Sequence, residues 1–379
     1  MMNSDFMDTL LDGVEVEWKA LSDVAVLKRG RVMSKGYLTE NKGNFPVFSS
    51  QTANNGMIGS INTFDFDGEY VNWTTDGVNA GTVFYRTGKF SITNVSGLIK
   101  IKNESILSYK YLFYWLSIEA KKHVYSGMGN PKLMSNQVAK ILIPIPPLNV
   151  QEEIVRILDT FTELTAELTA ELTAELAARK KQYTYYRDKL LTFEEGEVEW
   201  KALGELAENH DSMRKPITSG LREIGDIPYY GASGIVDYVK DFIFDGDYLL
   251  VSEDGANLLA RRTPIAFSIS GKSWVNNHAH VLKFNTYAER KYIECYLNSI
   301  DLTPYISGAA QPKLNQRNLN AIQIPNPSLE DKERIVSILD KFETLTTSIQ
   351  EGLPREIELR QKQYEYYRNM LLSFPKEEV

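Results

Sequence analysis

Arg179–Phe193 reads RKKQYTYYRDKLLTF, and Arg360–Phe374 reads RQKQYEYYRNMLLSF, 181 residues later. The same offset carries Ile154–Phe161 (IVRILDTF) onto Ile335–Phe342 (IVSILDKF), and Pro131-Lys132-Leu133 onto Pro312-Lys313-Leu314. Near that distance, Val16–Leu21 and Val198–Leu203 both read VEWKAL. One unit of about half the chain is written twice, and such a tandem duplication is expected to fold with pseudo-twofold symmetry and two related binding surfaces.

The repeated stretch is helical in pattern. Ile154, Leu158, Phe161, Leu164, Leu168, Leu172, Leu176, Tyr183, Tyr186 and Leu190 recur at steps of three, four or seven. Ile335, Leu339, Phe342, Leu345, Ile349, Ile357, Tyr364, Tyr367 and Leu371 form the second stripe. No proline interrupts Val150–Thr192, which predicts a helix of roughly 60 Å. A helix that long with one apolar stripe needs a partner helix. The other copy is the candidate, and a pseudo-twofold axis would pair the two antiparallel. Asn149 with Glu152 has capping-box spacing, and Ser328 with Asp331 gives a weaker version of it. Gly352-Leu353-Pro354 predicts a kink or break. TAEL occurs three times over Thr165–Leu176. Each unit lengthens a helix by about 6 Å, so the run reads both as a coiled-coil stripe and as a spacer.

Residues 22–146 and 204–328 read differently. Short β-type runs (Tyr70–Thr74, Thr82–Arg86, Leu98–Lys102, Tyr248–Ser252, Ala279–Phe284) alternate with Gly/Asn clusters. A tyrosine-rich helix follows in each half, near Tyr109–Lys122 and Glu289–Ile300, and then an apolar strand ending in prolines (Ile141–Pro147, Ile322–Pro327). The expected class is α+β. Two β-rich domains with small helices, at 1–147 and 194–328, alternate with two long antiparallel helices at 148–193 and 329–379.

The 379 residues exceed one typical domain, and 43% apolar content supports real cores. One cysteine and four histidines exclude a disulfide framework and a cysteine- or histidine-rich metal centre. No signal peptide or membrane-spanning run is visible, so a cytoplasmic protein without membrane contact is expected. The net charge of −8 argues against a simple polycation. Its distribution is uneven: residues 22–146 hold 14 Lys+Arg against 8 Asp+Glu, a net of +6, and residues 204–328 hold 12 against 14, a net of −2. The first β-rich domain is therefore the one suited to a basic surface.

Catalytic motifs are absent from the sequence. There is no phosphate loop, no GxGxxG after a strand and no HExxH. Asn326-Pro327-Ser328 lacks the second proline and the aromatic of an adenine-methyltransferase motif, and Cys295 sits in the apolar run YIECYL. The loops hold the candidate contacts instead. In the first half these are Ser50, Gln51, Asn54, Asn55, Thr74, Thr75, Asp76, Asn79, Arg86, Lys89 and Asn94. In the second they are Tyr230, Ser233, Glu253, Asp254, Asn257, Arg261, Arg262, Lys272, Asn276, Asn277 and His278. Amides and cations of this kind pair with base edges, and carboxylates accept from cytosine. The same Gly/Asn/Ser composition is also that of ordinary turns. Asn130 and Lys132, with Gln311 and Lys313, lie in Gly127–Leu133 and Gly308–Leu314, where small residues, an amide and a lysine suit a phosphate or a structural turn.

Taken together, the G-x-x-[NQ]-P-K-L turn, the IPIPP exit into QEEIVRILDTF, the TAEL units, RKKQYTYYRDKLLTF, GEVEWKALGE and EGLPREIELRQKQYEYYR resemble the specificity subunit of type I restriction-modification enzymes. The TAEL units and the last segment resemble the IC subgroup. The resemblance covers the scaffold of the whole chain and is weak within 22–125 and 204–305. It implies a non-catalytic subunit with two target-recognition domains, each reading one half of an asymmetric bipartite site on double-stranded DNA, with the gap set by the spacer helices. It further implies two modification and two restriction subunits as partners. S-adenosylmethionine, ATP and magnesium are expected on those partners and no cofactor on this chain, in a prokaryotic cytoplasm. A coiled-coil adaptor whose β-rich domains bind proteins is the alternative.

Overall fold

The computed structural model describes residues 10–11, 13–126, 129–308, 311–348 and 351–374. They form two compact units, one bounded by Met1–Ala170 with Glu358–Val379, the other by Glu171–Ile357.

The first unit holds β1 (Glu17–Ala20), β2 (Ala25–Arg29), β3 (Lys42–Phe48), β4 (Met57–Ile61), β5 (Phe66–Thr74), β6 (Val83–Ile92), β7 (Ser96–Ile101) and β8 (Leu142–Ile145). Six of these form one sheet in the order β2-β7-β5-β6-β3-β4, antiparallel except for β3 beside β6. Helix α1 (Tyr109–Glu119), capped by Ser108, packs on β5 and β6. Strand β5 is buried on both faces, as its alternation requires. Val71 and Trp73 join the core under α1, whereas Tyr70 joins Phe90, Ile92 and Leu98 on the other side. Toward the open end of the β5–β6 hairpin, Gly68 pairs with Gly88. Both glycines have positive φ (124° and 79°), which side chains rarely tolerate.

The second unit repeats this plan with the sheet divided. Strands β9 (Glu199–Ala202), β10 (Glu208–Asn209), β11 (Ile224–Gly231), β12 (Gly234–Val239), β13 (Phe244–Asp245), β14 (Tyr248–Ser252), β15 (Ala266–Ile269), β16 (Lys272–Val275), β17 (Ala279–Lys283) and β18 (Gln323–Asn326) follow the same order. They form two four-stranded sheets, β10-β17-β14-β15 and β12-β11-β16-β13. The division falls at Gly246 and Gly271, again with positive φ, where the first unit bends without breaking. Helix α3 (Tyr287–Ser299) carries a full capping box from Thr286 and Glu289 and lies on β14 and β15. In each unit the VEWKAL segment clasps the proline-rich strand: β1 pairs with β8, and β9 with β18.

Helix α2 spans Leu148–Leu191, 44 residues, or about 66 Å. It starts one residue before Asn149, so Asn149 lies inside the first turn and the expected Asn149–Glu152 cap does not form. Gln151, fully buried, ties this turn down instead: it donates to the Pro146 and Ile106 carbonyls and accepts from the Ser108 amide. Ser328 does cap α4 (Leu329–Thr347), accepting from the Asp331 amide at 3.1 Å. The expected break separates α4 from α5 (Leu353–Leu371), although Ile349 lies outside the described residues.

Within each unit, part of α2 pairs antiparallel with a helix from the other copy. In the first, Phe161 stacks on Tyr367 with ring centroids 5.4 Å apart, and Leu168 lies by Arg360. In the second, Phe342 stacks on Tyr186 at 5.6 Å, and Lys180 lies by Thr346. Leu168, Leu172 and Leu176 of the TAEL run are half-buried, and Leu164 is left exposed. The closing segment of the chain completes the first core: Leu371 and Leu372 are buried in it, and the Phe374 ring meets Tyr111 and Trp115. Leu371→Ala should therefore cost about 2–5 kcal/mol in the unit that contains the N-terminal domain. In urea unfolding followed by tryptophan fluorescence, a transition identical to wild type would remove α5 from that core.

Candidate nucleic-acid interface

In the first unit, three loops meet at one end of the sheet. The Ser49 and Ser50 turn, the β5–β6 loop and the β6–β7 turn are joined by Thr93 Oγ1 to Ser49 Oγ (2.8 Å), Asn79 Nδ2 to the Ser50 carbonyl (3.3 Å) and the Thr75 amide to the Val95 carbonyl (3.1 Å). The Pro131-Lys132-Leu133 segment docks there as a strand-like bridge. Lys132 pairs with Tyr125 and Asp76, the Gly77 amide donates to the Pro131 carbonyl, and the Leu133 amide to Thr75. Leu133 is fully buried, and Trp73 Nε1 donates to its carbonyl at 3.0 Å.

The second unit builds the same bridge with other side chains. Lys313 pairs with Ser307 and Asp254, Gly255 donates to Pro312, and Leu314 donates to Glu253. Beneath it lies a network of buried charges, where the described residues of the first unit have Arg29 on Thr75 (3.4 Å) and Lys132 near Asp76 (3.9 Å). Arg214 donates to Glu253 (2.5 Å) and to the Ala279 carbonyl, Lys313 reaches Glu253 at 3.0 Å, and the His280 ring lies between Asp211 (2.6 Å) and the Leu314 carbonyl (2.7 Å). Burial alone would raise the Glu253 carboxyl, but hydrogen bonds from Arg214 and Lys313 outweigh it and hold the group below the usual range. Asp211 is likewise lowered, burial being outweighed by His280 and the Val281 amide.

The expected contact residues separate into groups. Asn54, Asn55, Asn94, Asn130 and Lys132 are exposed at the loop end of the first unit, with Ser50 and Asp76 half-exposed. Ser233, Asn277, His278, Gln311 and Lys313 are exposed at the matching end of the second, with Tyr230 and Asp254 half-exposed. His278 leans on Asp254 at 2.9 Å. Thr74, Thr75, Arg86, Glu253 and Asn276 are buried, so a base-edge contact gives way to support of the loops. Gln51, Asn79 and Asn257 spend their amides on local carbonyls. Lys89 and Lys272 stand instead beside the glycine bends, over the rings of Phe64 and Phe242. Arg261 and Arg262 line a cleft with Lys180, Arg187 and Cys295 rather than the loop end. Burial pushes the Cys295 thiol up to about 12, consistent with a core residue. Of the glycine-rich turns, Met128 and its neighbour Gly127, and Ala309-Ala310, lie outside the described residues.

Arg29, Arg214, Asp211 and His280 escaped the sequence reading. Arg29 holds the Asn94 carbonyl at 2.6 Å, in a position comparable to that of Arg214. One signal was available: FDGEY at Phe66–Tyr70 and FDGDY at Phe244–Tyr248 lie 178 residues apart, as do Thr75-Asp76-Gly77 and Glu253-Asp254-Gly255.

The grooves between paired helices also repeat. Phe161, Arg360, Gln363 and Tyr367 line one, and Phe342, Arg179, Gln182 and Tyr186 line the other. In each, the arginine donates to the glutamine, at 3.1 and 2.9 Å. Among the described residues, no helix is long and apolar enough to cross a membrane, and no cluster of three potential metal ligands occurs.

Two unequal loop platforms on one repeated helical frame define a duplicated recognition module. The chain belongs to the type I restriction-modification DNA specificity family, whose model matches residues 13–178 and 195–359. It is 34% identical to the Escherichia coli type I restriction enzyme EcoR124I/EcoR124II specificity subunit, covering 100% of this chain and 99% of that protein. It is 32% identical to a putative type I specificity subunit of Mycoplasma pneumoniae, covering 95% and 98%. The HsdS subunit from Thermoanaerobacter tengcongensis shares the fold at 17% identity and a TM-score of 0.53, over 94% of this chain and 97% of that one. A structure from a study of type I complex assembly shares it at 14% identity and a TM-score of 0.66, over 95% and 98%.

Two outcomes follow from these bridges. A Cβ on Gly97 would fall 2.1 Å from the Trp73 ring, so Gly97→Ala should destabilise by about 1–3 kcal/mol or more and loosen the Lys132 bridge, read as faster amide exchange at Leu133. The lowered Glu253 carboxyl contributes stability that is present above the ordinary carboxylate range and lost as pH falls through its depressed value. Glu253→Gln should flatten that acid limb in thermal melts between pH 3 and 7; an unchanged limb would remove Glu253 from the linkage.

Proposed function

We propose that this chain is the non-catalytic subunit that gives a type I restriction-modification complex its DNA sequence specificity. Each β-rich domain reads one half of a bipartite site through its loop end, and because the loop side chains differ, the site is asymmetric. The observation that carries this reading is the repeated bridge between the Pro-Lys-Leu segment and the Asp-Gly loop: the backbone frame is kept while the exposed side chains around it differ, Asn54, Asn55 and Asn94 in one unit against Ser233, Asn277 and His278 in the other. A frame held constant under variable side chains is what direct readout of different bases needs.

The repeated Phe/Tyr/Arg/Gln grooves support docking of two copies of one partner, the modification subunit, and two restriction subunits complete the assembly. S-adenosylmethionine, ATP and magnesium belong to those partners in this reading, and the complex works in a prokaryotic cytoplasm. The TAEL run acts as the ruler between half-sites.

Single-molecule methylome sequencing of a host expressing this chain with its modification subunit tests the proposal. A new bipartite methyladenine motif is expected, and its absence would favour a protein-binding adaptor. Deleting Thr169–Leu172, which shortens α2 by about 6 Å, should change the gap and leave both half-sites intact; a fixed gap sinks the ruler.

A further inference from the structure

Arg86 on β6 is 3% exposed, and among the described residues no carboxylate lies within ion-pairing distance of it. Its guanidinium sits over the Phe48 ring at 3.7 Å and the Phe84 ring at 4.4 Å. One terminal nitrogen donates to the Asn55 carbonyl at 2.7 Å, and Nε has no partner. Burial brings the group down to about 10, so it remains charged at neutral pH. Buried charges are ordinarily paired, because leaving water is costly. Two ring faces and one carbonyl surround the guanidinium, and among the described residues no anion offsets its charge.

What lies above Arg86 is a built loop. Asn54, Asn55 and Gly56 all take positive φ (49°, 51° and 81°). Five successive carbonyls are engaged by protein donors: Ala53 and Met57 by Gln51 Nε2, Asn54 by the Met57 amide, Asn55 by Arg86, and Gly56 by the Ser49 amide. With these negative dipole ends taken up, the exposed face is left to Thr52, Asn54 and Asn55, over a fixed positive charge. Gly56 permits the approach, since a Cβ there would stand 3.1 Å from the guanidinium. The device belongs to one domain. Tyr70 of the FDGEY segment is paired across the sheet with Arg86, whereas Tyr248 of FDGDY is paired with Ile269.

The geometry points to a seat for a DNA backbone phosphate on the 52–55 loop, with Arg86 as a positioning residue that charges the seat from beneath. This rests on the DNA reading above and adds to it an unequal division of labour: the first domain has an Arg86-charged backbone anchor, and at the matching strand position the second has Ile269. A buried cation without a counter-ion then has its counter-ion in the ligand.

The test uses the full chain assembled with its modification subunits and duplexes with and without the methylated motif. Arg86→Met should weaken binding about tenfold on all sequences alike and lower the log–log salt slope by about one, with the motif unchanged. Its thermal midpoint should stay level or rise, since an uncompensated charge has been replaced by an apolar side chain. Arg86→Lys, which keeps the charge, should retain the wild-type slope. Asn54→Asp places a like charge at an exposed position that tolerates positive φ, and should weaken binding to a similar extent even if Arg86→Met does not fold. Wild-type affinity and slope in Arg86→Met or in Asn54→Asp overturn the seat, as does loss confined to one base position. A wild-type assembly that binds no duplex sinks the specificity reading and the seat together, whereas wild-type binding with indifferent variants sinks the seat alone.

Discussion

A 44-residue helix carries an apolar stripe that must be covered, and in each unit a helix from the other copy covers it. Phe161 on Tyr367 and Phe342 on Tyr186 are the clearest instances. This mutual cover explains why IVRILDTF and RKKQYTYYRDKLLTF recur closely in the second copy. Phe161 and Phe342 each fit a tyrosine of the repeated YxYY segment, so a change in one copy is a misfit in the other. The loops face no such requirement.

The loop platforms show how that freedom is used. The first unit holds its Asp-Gly loop through Thr75, to which Arg29 donates at 3.4 Å, and the buried Trp73, with Lys132 3.9 Å from Asp76; beneath the 52–55 turn one guanidinium has no carboxylate partner among the described residues. The second holds the same backbone with Arg214, Glu253, Lys313, Asp211 and His280, a network in which each charge finds an opposite. The contrast in net charge between residues 22–146 and 204–328 thus has a local meaning. The first domain keeps one buried guanidinium without a carboxylate partner among the described residues, and the second pairs its buried charges with one another.

The helices, the apolar strands and the break at Gly352 were legible because they follow from periodicity and from two residues with restricted backbones. The Ser328 cap was legible for the same local reason, and the Asn149 cap failed because a buried Gln151 supplied a better tertiary anchor. The site was less legible. Loop polarity does not say which side chains face outward, and Thr74, Thr75, Arg86, Glu253 and Asn276 turned inward because strands on both sides of them are covered. Arg214 and Asp211 were invisible because their partners lie 39 and 69 residues away, beyond any local pattern. The paired glycines left only a short signal, FDGEY and FDGDY, each set among apolar runs.

Phe374 and Leu371 lie at the far end of the chain, yet they belong to the core of the N-terminal domain. On a ribosome this sets a schedule. The N-terminal domain emerges early but waits for 187 intervening residues, Glu171–Ile357, before its last helix exists. At ordinary elongation rates that is roughly 10–40 s. During that interval the first-unit part of the α2 stripe is without the helix that covers it in the folded protein. A nonsense codon that removes Leu371–Phe374 damages the part of the protein made first.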